Sequence, residues 1–366
     1  MHVSSFVHLH RTRTPTGVGV HIIEMLRELA SRDGVDLQML VSREQTDGHG
    51  NVLPEFSLGE LPLVTYPMSR RIAEGCWRYL NWPAVDRYVG KTDVLYSPTE
   101  VAISTRSIPQ VLTIHDMYLM ETDLPWSNTP ESRKIAARWE KLTRLMVDRA
   151  SRIVTVSNFT KRRIVELLGA DPDQIHVIGN GVGKAYFEPN LNVVLPVSEP
   201  YVLVVGGLTQ RKNGDAVFAV AQTLEQMDSQ IKIVVAGKSP TEYVNEAKAH
   251  PNIELLGYVD DAILPAMMAR SVALMFLSRY EGFGMPAVEA MAAGAPVIVS
   301  PYASLPEIVG AAGLIMDPTD EHAIATQIVS LARTPGSRDQ LIAKGKQWAQ
   351  RYTWAHCVDR LLAAMH

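Results

Sequence analysis

Short apolar runs alternate with amphipathic stretches from one end of the chain to the other. Val3–Leu9 predicts a strand, and Gly17–Ser31 a helix with Ile22, Ile23, Leu26 and Leu29 on one face. Leu37–Val41, Val94–Tyr96, Val111–Ile114, Ile153–Val156 and Ile175–Ile178 predict further strands, with a helix at Thr160–Leu168. After about residue 200 the pattern restarts. Strands are predicted at Tyr201–Val205, Ile231–Ala236, Ile253–Leu255, Ala273–Leu277 and Pro296–Val299. Helices fall between them at Asp215–Met227, Thr241–Ala249, Asp261–Arg270 and Pro286–Ala293. Such alternation predicts an α/β protein with buried parallel sheets and crossover helices.

The rhythm breaks around residues 183–200, where Pro189, Pro196 and Pro200 stand in polar filler. This divides the chain into units at 1–185 and 198–346 with a linker at 186–197. The tail, Gln347–Met365, reads as a helix. Open parallel sheets bind ligands at the carboxyl ends of their strands, so the loops there are the places to search.

Composition narrows the class. The 366 residues are 46% hydrophobic, enough for a core in each of two domains. A net charge of -4 gives no basic signature for nucleic acid. Two cysteines, Cys76 and Cys357, form neither a disulfide framework nor a zinc spacing and fit a reducing compartment. The N-terminus lacks the pattern of a signal peptide, and no apolar run approaches the roughly 18 residues of a membrane span. The expectation is a cytoplasmic protein, with peripheral membrane contact left open.

Candidate chemistry clusters at strand ends. The first loop, HRTRTPTGVGVHI, holds Gly17 and Gly19, suited to a tight turn and close backbone approach. A dinucleotide fingerprint would need glycine at Ile22 and an acid at the end of the second strand, where Ser42 and Arg43 stand, so a nicotinamide site is rejected. Arg11 and Arg13 suit an anionic acceptor. His115 and Asp116 follow an apolar strand, a position equally open to a structural histidine. Gly206-Gly207 with Arg211-Lys212 offers backbone N–H groups, a guanidinium fork and an ammonium, as a diphosphate requires; the plainer reading is a solvated loop. Glu289 stands among Ala287, Val288, Ala290, Met291 and Ala292, where an ionised carboxylate is costly unless partnered. Glu281 stands at the mouth of the Gly282-Phe283-Gly284 turn that delivers the chain into this helix, whose N-terminus suits an anion. Two acids beside an anion site fit hydroxyl groups instead. Asp171-Pro172-Asp173 reads as a turn and not a metal site, and no metal ligand set is expected.

Residues 131–163 carry ten lysines and arginines against three acids. Ile135, Trp139, Leu142 and Met146 recur at helical spacing. The segment reads as a core-facing helix with a basic outer face; docking to anionic lipid headgroups is the alternative.

In this order, the GVG loop, His-Asp, SNFTKRRI, GNGV, GGLTQRKN, GYV, EGFGMPAVEAMAAGAPVIVS and SLPEIV resemble the retaining glycosyltransferases of family 4. The resemblance spans nearly the whole chain. Its most specific part is the pair Glu281 and Glu289, eight apart, with Phe283, Gly284 and Pro286 in place. It implies the GT-B fold: two Rossmann-like domains with parallel sheets facing across a cleft, the first on the acceptor side, and a final helix at about 347–366 crossing back to it. It implies that Glu281, with the backbone from Gly282 through Phe283 and Gly284 to Met285, holds the donor sugar and that Glu289 holds the ribose. Arg211 and Lys212, beside Gly206, would bind the diphosphate. Val259 would pack on the base, His115 would reach the donor sugar, and Gly17 and Gly19 would lie near the diphosphate and acceptor. Two departures stand out. Gly207 occupies a place where many members carry arginine, and Gly179-Asn180-Gly181-Val182-Gly183 replaces the usual PNGVD.

The resemblance implies hexose transfer from a nucleotide diphosphate sugar, with retention and without a metal or other cofactor, to a glycan or lipid-linked glycan. The departing phosphate would take the acceptor proton. The His115-Asp116-Met117 and TQRKN blocks are similar to mannosyltransferase-like members, which favours GDP-mannose over UDP- and dTDP-sugars. A sugar-nucleotide epimerase, a phosphorylase and a non-catalytic sugar-nucleotide-binding scaffold are the rivals.

Overall fold

The computed structural model describes residues 1–7, 16–47 and 61–366, with Pro335 described in its backbone alone. The chain forms two compact units: residues 1–123, 127–181 and 354–366 make the first, residues 124–126 and 182–353 the second.

The first unit begins with β1 (His2–Phe6), α1 (Gly17–Ala30), β2 (Asp36–Ser42), β3 (Leu63–Tyr66) and α2 (Arg70–Leu80). It continues with β4 (Val94–Ser97), β5 (Gln110–Ile114), α3 (Pro130–Arg149), β6 (Arg152–Thr155), α4 (Asn158–Leu168) and β7 (Ile175–Val177). Among the described residues the strands form one sheet in the order β3-β2-β1-β4-β5-β6-β7, every pairing parallel. Its central strands are buried on both faces, which is why β5 reads as the unbroken run QVLTI. Phe6, Leu40, Tyr66 and Trp77 fill one buried cluster; Leu112, Ile114, Met146, Ile153 and Ile164 fill another. Each such side chain contributes about 1.5–3 kcal/mol by leaving water.

The second unit runs α5 (Lys184–Phe187), β8 (Tyr201–Val205), α6 (Gly214–Gln226), β9 (Lys232–Ala236), α7 (Thr241–Ala247) and β10 (Ile253–Gly257). Then come α8 (Leu264–Arg270), β11 (Leu274–Phe276), α9 (Met285–Ala293), β12 (Val297–Val299), α10 (Leu305–Val309), β13 (Leu314–Ile315), α11 (Glu321–Arg333) and α12 (Pro335–Ala349). Its sheet has the order β10-β9-β8-β11-β12-β13, also parallel. α9 lies between two glycines in the left-handed region, Gly284 (φ 98) and Gly294 (φ 94); the latter's N–H closes the helix on Ala290 and Met291.

The tail differs from the expected single helix. α12 ends at Ala349, and a new helix, α13 (Trp354–Met365), starts after a break. The break is held by hydrogen bonds: the Tyr352 carbonyl accepts from the Val182 N–H at 2.9 Å, and the Tyr352 hydroxyl donates to the Ile308 carbonyl at 2.9 Å. α13 packs on α1, β6 and β7 of the first unit. A Cβ on Gly181 would overlap the Trp354 backbone and ring, so glycine is required there. The sequence reading also passed over β3, α2, α5, α10, β13, α11 and most of α12. The predicted strand end at Leu9 lies outside the described residues.

Candidate functional site

Strand order reverses between β8 and β11 in the second unit, the point where such sheets open a crevice. The loops leaving these two strands carry the charged residues singled out above. After β8, Gly206 (φ 98) and Gly207 (φ 74) turn the chain through the left-handed region. A Cβ on Gly206 would stand 3.0 Å from Lys212 Cε. The expectation that these glycines present free N–H groups is corrected: both donate to the Ala236 carbonyl, at 2.8 and 3.1 Å. Leu208 N–H donates to Ser239 Oγ at 2.8 Å. The loop is stapled to β9 instead of opened to a ligand, and its cations lie at its far end.

Those cations converge on Glu281. Lys212 Nζ lies 2.7 Å from one carboxylate oxygen and Arg211 Nη1 2.9 Å from the other. Arg211 also donates to the Tyr280 carbonyl at 3.1 Å, and Lys212 lies 4.3 Å from the Phe276 ring centroid. Glu281 is buried, and burial alone would raise its pKa. The charges of Lys212 and then Arg211 outweigh this and hold it below the usual carboxylate range. Burial pulls the Lys212 ammonium down, against the attraction of Glu281. Two cations and one anion leave the cluster with one net positive charge. The sequence reading placed sugar-binding and diphosphate-binding groups apart; here they are one ion-paired triad.

The triad borders the turn into α9. The Ser304 hydroxyl lies 2.9 Å from both the Glu281 and the Phe283 carbonyl, shares its one proton between them and fixes the turn. A Cβ on Gly284 would stand 2.6 Å from Leu305 Cδ2. Among the described residues, no acceptor meets the N–H groups of Phe283, Gly284 or Met285. Pro286 has no N–H, and Ala287 donates back to Gly284. Successive unpartnered amides at a helix start suit an anion or an oxygen-rich ligand.

Glu289 lies half-buried one turn into α9. Among the described residues it has no hydrogen bond or ion pair. Burial first, and then the charge of Asp261, raise its pKa to about 7. Tyr186 of α5 feels the same carboxylate: burial and then the Glu289 charge push that phenol up. Neither Tyr186 nor Asp261 was read from the sequence. Val259, buried, follows β10, so it too sits at a strand's carboxyl end.

In the first unit His115 directly follows β5. Its backbone N–H donates to Glu100 Oε1 at 2.6 Å, and ring Nε2 lies 2.9 Å from the Pro98 carbonyl. A carbonyl only accepts, so Nε2 carries a proton and Nδ1 is the nitrogen left for a partner. His21 meets this ring edge to face at 4.7 Å. His21 is wholly buried, and its Nδ1 lies 2.6 Å from Asn180 Oδ1. Burial and then the His115 charge lower its pKa to about 3, against the Asn180 bond. The sequence reading missed His21. Its signal was a histidine one turn before Met25 on the buried face of α1. Gly17 and Gly19 prove to be helical, in the first turn of α1, where Thr16 Oγ1 accepts from Gly19 N–H. Arg11 and Arg13 lie outside the described residues.

The basic segment at 131–163 is largely spent on the fold. Arg144 bonds Glu140 and the Leu167 and Leu168 carbonyls, Arg149 the Trp77 carbonyl, Lys161 the Ile175 carbonyl, and Arg163 pairs with Glu121 and Glu166. Met146 is buried and Trp139 and Leu142 pack on the core, while Lys134, Arg138 and Lys141 stay exposed. Asp171 caps its own turn by accepting from Asp173 N–H at 2.9 Å.

Two parallel sheets, each with its candidate residues at the strand ends, define a two-domain α/β protein of Rossmann-like units. The families described as Glycosyltransferase Family 4 and Glycosyl transferases group 1 match residues 15–185 and 192–348. O-antigen chain mannosyltransferase B of Escherichia coli is 27% identical over 383 residues, covering 95% of each chain. Among solved structures, the sucrose-phosphate synthase of Thermosynechococcus elongatus superposes with a TM-score of 0.71 at 18% identity, over 99% of this chain and 97% of that one. HepE of Anabaena, solved in complex with UDP and glucose, gives 0.68 at 18%, over 99% and 98%. The chain belongs to the GT-B glycosyltransferases of family 4.

Proposed function

We propose that the chain transfers a hexose, mannose first, from a nucleoside diphosphate sugar to a hydroxyl of a glycan or lipid-linked glycan, with retention at the anomeric carbon. The observation that carries the reading is the Arg211–Lys212–Glu281 triad beside the unpartnered amides of Phe283, Gly284 and Met285. Arg211, Lys212 and those amides bind the diphosphate and take up the charge that develops as it leaves, without a metal. Glu281 accepts sugar hydroxyls with the lone pairs its cations leave over. Glu289, with no hydrogen bond or ion pair among the described residues, accepts the ribose hydroxyls, and Val259 meets the base. His115 offers Nδ1 to the reaction, and the departing phosphate takes the acceptor proton. The mannosyltransferase named among the relatives supports mannose as the sugar, and GDP-mannose is the donor proposed.

The test is a thermal-shift series with GDP, UDP, dTDP and ADP. A ligand bound by the folded state alone raises the midpoint with the logarithm of its concentration over Kd. GDP is expected to shift it most, in chelator as in magnesium. A larger shift with UDP or dTDP moves the donor assignment; a shift that needs the metal overturns the metal-free step; no shift with any of the four removes the diphosphate site.

A further inference from the structure

α2 spends only part of its apolar surface inside the first unit. Ala73 and Trp77 are buried against the core. At about 100° per residue, Leu80, Cys76, Ile72 and Tyr79 continue that arc around the helix, away from the core. Ile72 is 59% exposed, Tyr79 77% and Leu80 67%, and Trp82, just past the helix, is 52% exposed. An aliphatic and aromatic face of this density, with nothing among the described residues against it, is unusual on a surface. The opposite arc is cationic. Arg70 is offset by Glu74, but among the described residues no ion pair holds Arg71, Arg78 or, nearby, Arg87. Asp86 between them is occupied by the N–H groups of Arg106 and Ser107.

We propose that α2 and Trp82 form an interfacial element that lays the first unit on an anionic bilayer. Ile72, Tyr79 and Leu80 enter the acyl boundary, Trp82 and the Tyr79 ring occupy the headgroup level, and Arg71, Arg78 and Arg87 meet lipid phosphates. A wide apolar arc, a charged opposite arc and low overall hydrophobicity are the properties of helices that lie in a membrane surface, and tyrosine and tryptophan concentrate at that depth. The cations and the pair Tyr79 and Trp82 favour a lipid surface over a second copy of the chain, which would use the apolar arc alone and leave the arginines without a counter-charge. The chain is net negative, so a local cationic rim is what permits approach to an anionic surface. The surface differs from the basic face of α3, whose apolar residues are largely used by the core, and it does not depend on the donor assignment.

The experiment is co-sedimentation of the full chain with vesicles of mixed phosphatidylglycerol and phosphatidylcholine, and with phosphatidylcholine alone. Wild-type protein is compared with the triple variant Ile72→Ser, Tyr79→Ser, Leu80→Ser and with Lys134→Ser, Arg138→Ser, Lys141→Ser. Unfolding midpoints report the fold, and exposed substitutions should leave them nearly unchanged. Wild type should bind the anionic vesicles, and the α2 variant should lose at least about tenfold in partitioning, because binding scales with buried apolar area. The α3 variant should lose far less. Failure of wild type to bind, or an α2 variant that binds equally well, overturns the proposal. So does a wild-type dimer that the α2 substitutions dissociate, which would assign the face to a second copy.

Discussion

Glu281→Gln tests the triad because it removes one charge and little volume. At an effective dielectric near 20, each ion pair is worth about 4 kcal/mol at 4 Å, but most of that attraction is offset by desolvation. The net loss is set by the cations left behind: about 3–5 kcal/mol for an uncompensated buried charge. Lys212 is 12% exposed and feels this in full, whereas Arg211 is 36% exposed and turns to water, so the lower end, about 3 kcal/mol, is expected. The second unit should then unfold about 6–12 °C lower. Its site, however, goes from one net positive charge to two. Added nucleoside diphosphate should therefore stabilise the variant at least as strongly as wild type, while sugar transfer collapses. Thermal unfolding across a diphosphate titration measures the first and donor turnover the second. A variant whose diphosphate shift vanishes would refute the division of labour, since Glu281 would then be needed to build the phosphate site itself. A variant with undiminished transfer would remove Glu281 from the sugar.

Two pH dependences follow from the buried groups. His21 has a folded pKa depressed from 6.5 to about 3, so the unfolded chain takes up its proton first. Stability of the first unit is whole above pH 6.5 and falls by about 1.4 kcal/mol per pH unit below it, down to about pH 3; urea unfolding at pH 7.5 and 5.5 should show it, and His21→Gln should flatten it. An equally steep profile in that variant would place the titration elsewhere. Glu289 is raised to about 7, so it favours folding when protonated, below pH 4.5, and that contribution is lost as pH rises through 7. Accepting ribose hydroxyls needs the ionised form, so diphosphate affinity should rise through about pH 7, with proton release on binding at pH 6.5. Calorimetry in buffers of different ionisation enthalpy detects that proton; its absence, with a flat affinity profile, would count against the ribose role.

The alternation of apolar runs was enough to find both sheets, because parallel strands buried on both faces are written as unbroken Val, Ile and Leu. Tyr201–Val205 is the clearest case. It located the loops at the strand ends for the same reason. What periodicity does not carry is pairing across sequence distance. Glu281 lies 70 residues from Arg211, and nothing local in either loop announces that they neutralise each other. Gly206 and Gly207 looked like free donors because the Ala236 carbonyl that takes both N–H groups belongs to the next strand. His21 was hidden by its helix, since a histidine on an apolar face gives no sign of an asparagine 159 residues away. α2 escaped because only Ala73 and Trp77 of its apolar residues are buried, while Ile72, Tyr79 and Leu80 stand exposed and blur the usual division into an apolar and a polar face. The tail broke where Tyr352 and Trp348 both bond the Ile308 carbonyl, a tertiary anchor that leaves no mark on a helical pattern.

The most direct test of the central claim is proton NMR of the reaction in real time. The protein is incubated with the sugar nucleotide whose diphosphate shifts its midpoint, GDP-mannose on the present reading, with and without a glycan acceptor. The account predicts release of the nucleoside diphosphate and first appearance of a product with the donor's own α anomeric configuration, at a rate reduced by Lys212→Ala. A donor left intact in the presence of acceptors, or a product that first appears as the β anomer, would contradict it.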